Sequence, residues 1–405
     1  IKEGHPVMLD IMPETYGIMV YQEDVIKVAH FFAGLTLGEA DQLRRGMSGK
    51  YRSREEFAKV KAKFISNCRK KGIEEKTIHE VWAQTESFAG YAFAKGHSAS
   101  YAVESYQSLF LKTYYPLEYM VAVLNNGGGF YGIETYIHEA RQHGGIVHVP
   151  HINISKKETI IIGKNIYLGF GHLHSLDYIT VANILTERAY HGDFKSLADF
   201  LERLDITADQ IEILLRIGAF DFSGVNKRIL LWKALHKLNK EPKRNLQNEL
   251  FKIRAKQYDL PKLSSTELEN VFDQIDLLGY PLCNPFHLVP ESIHSSLLAK
   301  DMMHFSNKPI TIYGYLVTAK STNTSKGDRM QFGTFLDYDG KWIDTVHFPP
   351  VAAKFPFRGK GVYRLKGKVV DEFGFMSLEI ITMEKMVYVP DARYEINENK
   401  LIKVA

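Results

Sequence analysis

The sequence predicts a multidomain protein, α-rich in its N-terminal and middle parts and followed by a five-stranded β domain. Three observations predict this. The chain has 405 residues, room for two to four domains at about 100–200 residues each. Apolar residues recur at helical spacing as far as residue 240 and alternate beyond residue 300, as in half-buried strands. A break at Asn125-Asn126-Gly127-Gly128-Gly129 separates two helical blocks.

Within 1–125, Gln22–Ala33 and Ser53–Lys71 carry apolar residues at helical spacing. Glu75–Phe88 repeats the pattern through Ile78, Val81, Trp82 and Thr85, which predicts one buried face. Pro116 starts a further helix over Leu117–Leu124. In 126–240, Gly132–His143 is amphipathic, whereas Ile146–Ile154 and Thr159–Leu168 are β-branched and read as short strands. Helical spacing resumes at Tyr178–Arg188, Ser196–Arg203, Thr207–Arg216 and Lys227–Leu238, with turns at Asp193-Phe194 and Gly218–Asp221. Residues 241–300 are polar and read as a linker with some helix around Ser265–Asp273.

The last block, 301–390, alternates. Ile310–Ala319 and Met330–Leu336 are strands flanking the loop Ser321–Gly327. Asp339-Gly340 is a tight-hairpin signal leading into Trp342–Phe348. A Pro-rich crossover, Pro349–Phe357, precedes Gly361–Val370, and Glu372-Phe373-Gly374 turns into Phe375–Thr382. Five strands with this spacing fit an OB barrel, and a small five-stranded sandwich reads the same way. Residues 391–405 are a C-terminal tail.

Composition narrows the function classes. Hydrophobic residues make up 45% and charged residues 24%, an ordinary globular balance. No apolar run approaches the roughly 18 residues of a membrane span. Cys68 and Cys283 are too few for a disulfide framework or a four-thiolate zinc site and read as reduced cytosolic thiols. The chain starts at Ile1 without a Met or a signal pattern, so a longer parent protein is expected.

Net charge is only +4, but its placement is uneven. Arg44–Lys71 holds eleven Lys/Arg, Lys50 among them, against Glu55 and Glu56, a local net of +9. Lys227–Lys256 holds ten against Glu241 and Glu249, a local net of +8, which leaves −13 for the rest. Dense basic segments on an otherwise acidic chain suit a phosphate backbone, since each neutralised phosphate releases condensed counterion. A solvated helix face is the other reading of any single run.

Three ordered motifs carry a resemblance. Glu14-Thr15-Tyr16-Gly17-Ile18-Met19-Val20-Tyr21-Gln22-Glu23-Asp24-Val25 comes first, then Gly38-Glu39-Ala40-Asp41-Gln42-Leu43-Arg44-Arg45-Gly46-Met47. Phe88-Ala89-Gly90-Tyr91-Ala92-Phe93-Ala94-Lys95-Gly96-His97-Ser98-Ala99-Ser100-Tyr101 follows, and the likeness continues through Leu111-Lys112 and Tyr115–Met120. Together they resemble the bacterial DNA polymerase III alpha subunits, the C-family polymerases. The resemblance implies fingers at 1–125, tandem helix-hairpin-helix elements at 126–240 and an OB domain at 301–390.

The resemblance also implies site residues. Arg44, Arg45, Lys95 and His97 would lie near the incoming nucleotide, where two guanidinium forks suit a triphosphate. The 94–97 stretch reads as a loop in which Ala94 and Gly96 replace the family's usual Asn and Ser, leaving fewer hydrogen bonds to hold it. Phe88, Tyr91, Phe93 and Tyr101 read as core. Tyr167-Leu168-Gly169-Phe170-Gly171-His172-Leu173 resembles the first helix-hairpin-helix, with Gly169 and Gly171 letting backbone approach duplex phosphates. The family's later Gly-x-Gly is here His174-Ser175-Leu176-Asp177, and Asp177 would repel phosphate. Leu214–Asp221 matches the closing pattern of the second element and reads as structural.

Gln247-Asn248-Glu249-Leu250-Phe251 is placed where the family binds its sliding clamp, with Leu250 and Phe251 as apolar anchors and Gln247 fixing register; an amphipathic helix from Asn245 to Arg254 is the plain alternative. Lys320, Lys326 and Arg329 with Tyr313, Tyr315 and Phe332 offer a basic, aromatic groove for single-stranded template, although alternation turns some of those rings inward.

Polymerase chemistry needs carboxylates holding two metal ions, which the family carries in a palm N-terminal to the fingers. No Asp-x-Asp on a strand stands in such a position here. The expectation is a polymerase piece with no catalytic or metal-ligating residue of its own, inactive alone. Mg2+ and deoxynucleoside triphosphates are expected for the full-length enzyme, and DNA, the sliding clamp and other holoenzyme subunits as cytoplasmic partners. The competing reading is a non-catalytic helix-hairpin-helix/OB DNA-binding or scaffold protein. An OB protein that binds tRNA explains the barrel but not Arg44-Arg45.

Overall fold

The computed structural model describes residues 6–47, 54–88, 93–240, 265–293, 297–391 and 393. They form two compact units, 1–113 and 114–405.

The first unit is helical: α1 (Pro6–Ile11), α2 (Gln22–Lys27, continued by a π-helical turn at Val28–Phe32), α3 (Leu37–Met47), α4 (Arg54–Lys70), α5 (Glu75–Phe88) and α6 (Lys95–Tyr114). Its core follows the sequence periodicity. Ile78, Val81, Trp82 and Thr85 of α5 are all buried, as their spacing predicts, and meet Val60, Phe64 and Cys68, one turn apart on α4. The Phe64 and Trp82 rings pack edge to face with centroids 5.2 Å apart. Burial pushes the Cys68 thiol up to about 11 and that of Cys283 to the same value, so neither is a reactive thiolate at neutral pH. Helix α6 differs, because none of its residues is buried. Phe93 and Tyr101, expected in the core, are 49% and 63% exposed, a correction of that expectation: neither packs into the apolar cluster formed by α1–α5.

The second unit begins with α7 (Pro116–Asn125), whose Leu117, Met120 and Val121 bury against Ala140 and Ile166. The division therefore falls before α7, and Asn125–Gly129 is the turn between α7 and α8 (Ile133–Gln142) rather than a gap between domains. A small sheet follows, with β1 (Ile146–His148) parallel to β3 (Asn165–Tyr167) and β2 (Ile160–Ile162) antiparallel to it. Helices α9 (Tyr178–His191), α10 (Leu197–Arg203), α11 (Ala208–Arg216), α12 (Lys227–Lys240) and α13 (Glu267–Leu278) enclose the largest core. That core includes Leu277, Leu278, Tyr280 and Leu282, so the end of the expected linker is packed helix and loop.

The barrel consists of β4 (Pro309–Asn323), β5 (Arg329–Leu336), β6 (Trp342–His347), β7 (Val362–Glu372) and β8 (Phe375–Lys385), closed in the order β4-β5-β6-β8-β7. β6 and β8 run parallel, and every other pair is antiparallel. Closure favours the OB-type barrel over the sandwich. The crossover contains α14 (Pro349–Lys354). Ile312, Phe335, Leu365, Val369 and Leu378 alternate inward to fill the barrel.

Two long-range ties hold this unit together. His138 of α8 donates from Nε2 to the Gly340 carbonyl at 3.0 Å, and Glu134 pairs with Lys360. Asp273 of α13, wholly buried, accepts from Arg216 Nε and Nη2 at 3.0 Å, Lys227 Nζ at 2.5 Å and Arg393 Nη1 at 2.9 Å. Arg393 thus fastens chain beyond the barrel to the helical core.

Candidate nucleic-acid interface

In the first unit, the start of α2 is a junction for the expected nucleotide-binding groups. Arg44 donates from Nε and Nη2 to Asp41 Oδ1 at 2.9 and 2.8 Å, and from Nη1 to Gln22 Oε1 at 3.0 Å. Arg45 reaches the other oxygen of Asp41 at 2.5 Å. These contacts follow from helix geometry, since positions three and four beyond Asp41 lie on its face. Next to Gln22, Glu23 accepts the Lys95 backbone N–H at 3.0 Å, and the Gln22 N–H donates to the Phe93 carbonyl at 2.9 Å. The Lys95 ammonium pairs with Glu14 and lies 5.7 Å from the centre of the Tyr21 ring.

The Arg44 side chain and the Lys95 backbone thus meet at Gln22-Glu23, 51 positions apart in the chain, with Arg45 joined to Arg44 through Asp41. Arg44 and then Arg45 hold the Asp41 carboxyl below the ordinary carboxylate range, and Lys95 does the same to Glu14. The expected loop at 94–97 is instead the start of a 20-residue helix: Lys95 is its first residue, and Ser98 closes the first turn on the Ala94 carbonyl. His97, two residues into that helix, stacks on Tyr101 with centroids 6.3 Å apart. Gln22 and Glu23 lie within the Glu14–Val25 motif, yet only their contacts mark them as the junction.

In the second unit, Gly169 and Gly171 serve the chain itself. A Cβ on Gly169 would lie 2.7 Å from the Glu158 carbonyl oxygen and closer still to that of Lys157. The Gly171 N–H donates to Lys157 O at 2.9 Å, and the Gly169 N–H to Thr159 Oγ1 at 3.3 Å. The backbone these glycines approach is thus the protein's own. The hairpin that follows is stapled by Gln210, which accepts from the Asp177 N–H at 2.7 Å and donates to the Ser175 carbonyl at 3.0 Å. Ser175 sits at φ +62°, a left-handed position that glycine adopts without strain. Replacing Ser175 with glycine is expected to raise stability by about 0.5–1 kcal/mol, the left-handed strain less the entropy glycine loses, measured as a higher urea midpoint.

On the barrel, Lys320 and Phe332 are cross-strand partners on the outer face, both exposed. Arg329 donates to Ser321 Oγ at 3.0 Å, and Lys326 is exposed in the intervening loop. Tyr315 is buried and Tyr313 partly so, which leaves Phe332 as the outward ring of the three. Inside the barrel, Thr345 Oγ1 donates to the Gly333 carbonyl and lies 2.9 Å from His347 Nε2. Burial pushes His347 down to about 4, so it is neutral at neutral pH. Lys50 and the Gln247, Leu250 and Phe251 motif lie outside the described residues. Among the described residues no group of three or more His, Cys, Asp or Glu could hold a metal ion, and no helix is long and apolar enough to cross a membrane.

Residues 1–72 match the family model of the bacterial DNA polymerase III alpha subunit finger domain, and residues 144–230 match a helix-hairpin-helix motif. The chain is 28% identical over 424 residues to the DNA polymerase III subunit alpha of Borreliella burgdorferi, covering 98% of this chain and 36% of that protein. It is 38% identical to that of Thermus aquaticus over 54% of this chain and 18% of the relative, and 30% identical to that of Aquifex aeolicus over 87% and 30%. The chain thus spans about a third or less of these relatives' length. A mitochondrial single-stranded DNA binding protein of S. cerevisiae matches 20% of the chain and 97% of its own at 12% identity, with a TM-score of 0.18 too low to bear on fold or ligand.

Proposed function

Since the chain belongs to the family of the bacterial DNA polymerase III alpha subunits, we propose that it is the nucleotide- and DNA-holding part of a template-directed polymerase. The observation that carries this reading is the meeting of Arg44 and the first residue of α6, Lys95, at the start of α2, with Arg45 tied to Arg44 through Asp41. Planar guanidinium groups and the Lys95 ammonium can grip a triphosphate once Asp41 and Glu14 give way, with His97 two residues beyond Lys95 on α6. The helix-hairpin-helix region would face primer–template duplex. Lys320, Lys326, Arg329 and Phe332 would hold single-stranded template. Lys50 would add to the phosphate contacts, and Gln247, Leu250 and Phe251 would dock the sliding clamp.

Phosphoryl transfer with Mg2+ is assigned to carboxylates elsewhere in a full-length, cytoplasmic polymerase. On this reading the chain alone adds no nucleotides to a primer.

Fluorescence anisotropy with primed template, blunt duplex and single-stranded DNA, titrated across salt, tests the proposal. Binding to primed template and single strand is expected to weaken steeply with salt. Replacing Lys320, Lys326 and Arg329 together with alanine should reduce the log–log salt slope for single strands by about 2, at about 0.7 per phosphate contact. Arg44→Ala with Arg45→Ala should abolish a deoxynucleoside triphosphate's effect on thermal unfolding. Failure to bind all three DNAs at low salt would overturn the reading. DNA binding without any response to nucleotide would leave the scaffold reading instead.

A further inference from the structure

The turn between β7 and β8 consists of Phe373 and Gly374, since Glu372 and Phe375 pair across it. Both turn residues have positive φ, +56° and +85°, the type I′ arrangement that asparagine and glycine favour. A bulky aromatic residue is strained there. Its ring is also wholly in solvent, at 108% relative exposure. Backbone strain acts against the folded state, and the bare ring gains nothing from folding, so packing explains neither. Strain of this kind points to a contact made outside the fold.

Strand register places the turn. Phe332 lies opposite Val346, Val346 opposite Glu379, and Asp344 opposite Ser377. These are outward positions, and Phe375, two residues before Ser377 and 60% exposed, shares that face by alternation. The loop bearing Lys326 and Arg329 leaves this face at the Phe332 end, and the β7–β8 turn leaves it at the other end. Strand rise and spacing put Phe332 and Phe375 about 16 Å apart, a span of a few nucleotides. The corresponding pair of loops flanks the oligonucleotide face in OB barrels.

Charge indicates what the ring meets. Asp371 Oδ1 accepts the Gly374 N–H at 2.8 Å and closes the turn, with Glu372 beside it. Two carboxylates repel a phosphate, so the contact Phe373 offers is a face for a nucleobase, while Lys320, Lys326 and Arg329 serve the backbone at the opposite end. We propose that Phe373 is a base-stacking residue for single-stranded nucleic acid, closing the far end of the face that Phe332 opens. This rests on the single-strand reading of the barrel.

The test uses the full chain and a labelled dT oligonucleotide of about 16 nucleotides, the upper span of one OB barrel. Phe373→Asn is expected to weaken binding about five-fold or more and to leave the salt slope unchanged, since no phosphate contact is lost. The same change should raise the unfolding midpoint, because asparagine tolerates the turn. Phe373→Trp should bind as wild type does, with its added fluorescence quenched by the oligonucleotide. A stabilised Phe373→Asn variant that binds undiminished, or an unquenched tryptophan in the complex, would overturn the proposal and leave the ring as a contact for a protein partner. Wild-type protein that binds no single strand at low salt would overturn the barrel reading itself, and this inference with it.

Discussion

Replacing Asp273 with asparagine is expected to destabilise the second unit by about 3–5 kcal/mol, the cost of removing one member of a buried ion cluster. Three cations converge on this one carboxylate, from α11 (Arg216), α12 (Lys227) and beyond the barrel (Arg393). The amide would leave Lys227, largely buried, without its carboxylate, while Arg216 keeps Asp276 and Arg393 keeps Asp391. Urea unfolding followed through Trp232 should show a much lower midpoint, while unfolding of the first unit, reported by Trp82, stays in place. Burial pushes the Asp273 carboxyl up, but the bonds from Lys227, Arg393 and Arg216 outweigh it and hold its pKa below the ordinary value. The sign follows from linkage: a depressed folded pKa stabilises above the unfolded value near 3.9 and is lost as pH falls through the folded one. Wild type should therefore lose stability on acidification below about pH 4, and the asparagine variant should lose less over that window. Equal acid sensitivity in both proteins would refute this role.

Replacing Gly169 with alanine is the second large effect, a loss of about 3 kcal/mol from overpacking. Its φ of −72° and ψ of 155° are open to alanine, so the loss would come from collision alone. The added methyl meets the backbone of Lys157 and Glu158, which cannot rotate away as a side chain could. Gly171→Ala, where the nearest atom would be 3.1 Å away, should cost much less. If Gly169 instead served only to admit a duplex phosphate, Gly169→Ala would unfold like wild type and lose only DNA affinity. Denaturation and duplex binding measured on both variants separate these outcomes.

Much of this protein was legible in its sequence because the information is local. The period of Ile78, Val81, Trp82 and Thr85 fixes one buried face of α5, whatever that face meets. Alternation and the Asp339-Gly340 turn place the barrel strands to within a few residues. The ordered motifs around Arg44-Arg45 and Lys95 bring the family within reach before any coordinate.

Tertiary structure decided what each face meets. Periodicity shows that a side chain is buried but names no partner, so Asp273 and its three cations, drawn from residues 216 to 393, could not be assembled from spacing. The same limit hid the neighbour of Gly169, because a glycine that admits DNA and one that admits its own chain look identical in one dimension. The sequence places Lys95 in a loop, yet it opens α6, because the Glu23 carboxylate and the Ala94 carbonyl accept the first N–H groups of that helix and override weak local preference. Phe373 was visible only as part of a turn, and the sign of its φ, which makes it strained and fully exposed, is a property of the folded backbone. Sequence sets local conformation and the pattern of burial, whereas the chemistry of a site depends on long-range register, which only the folded chain determines.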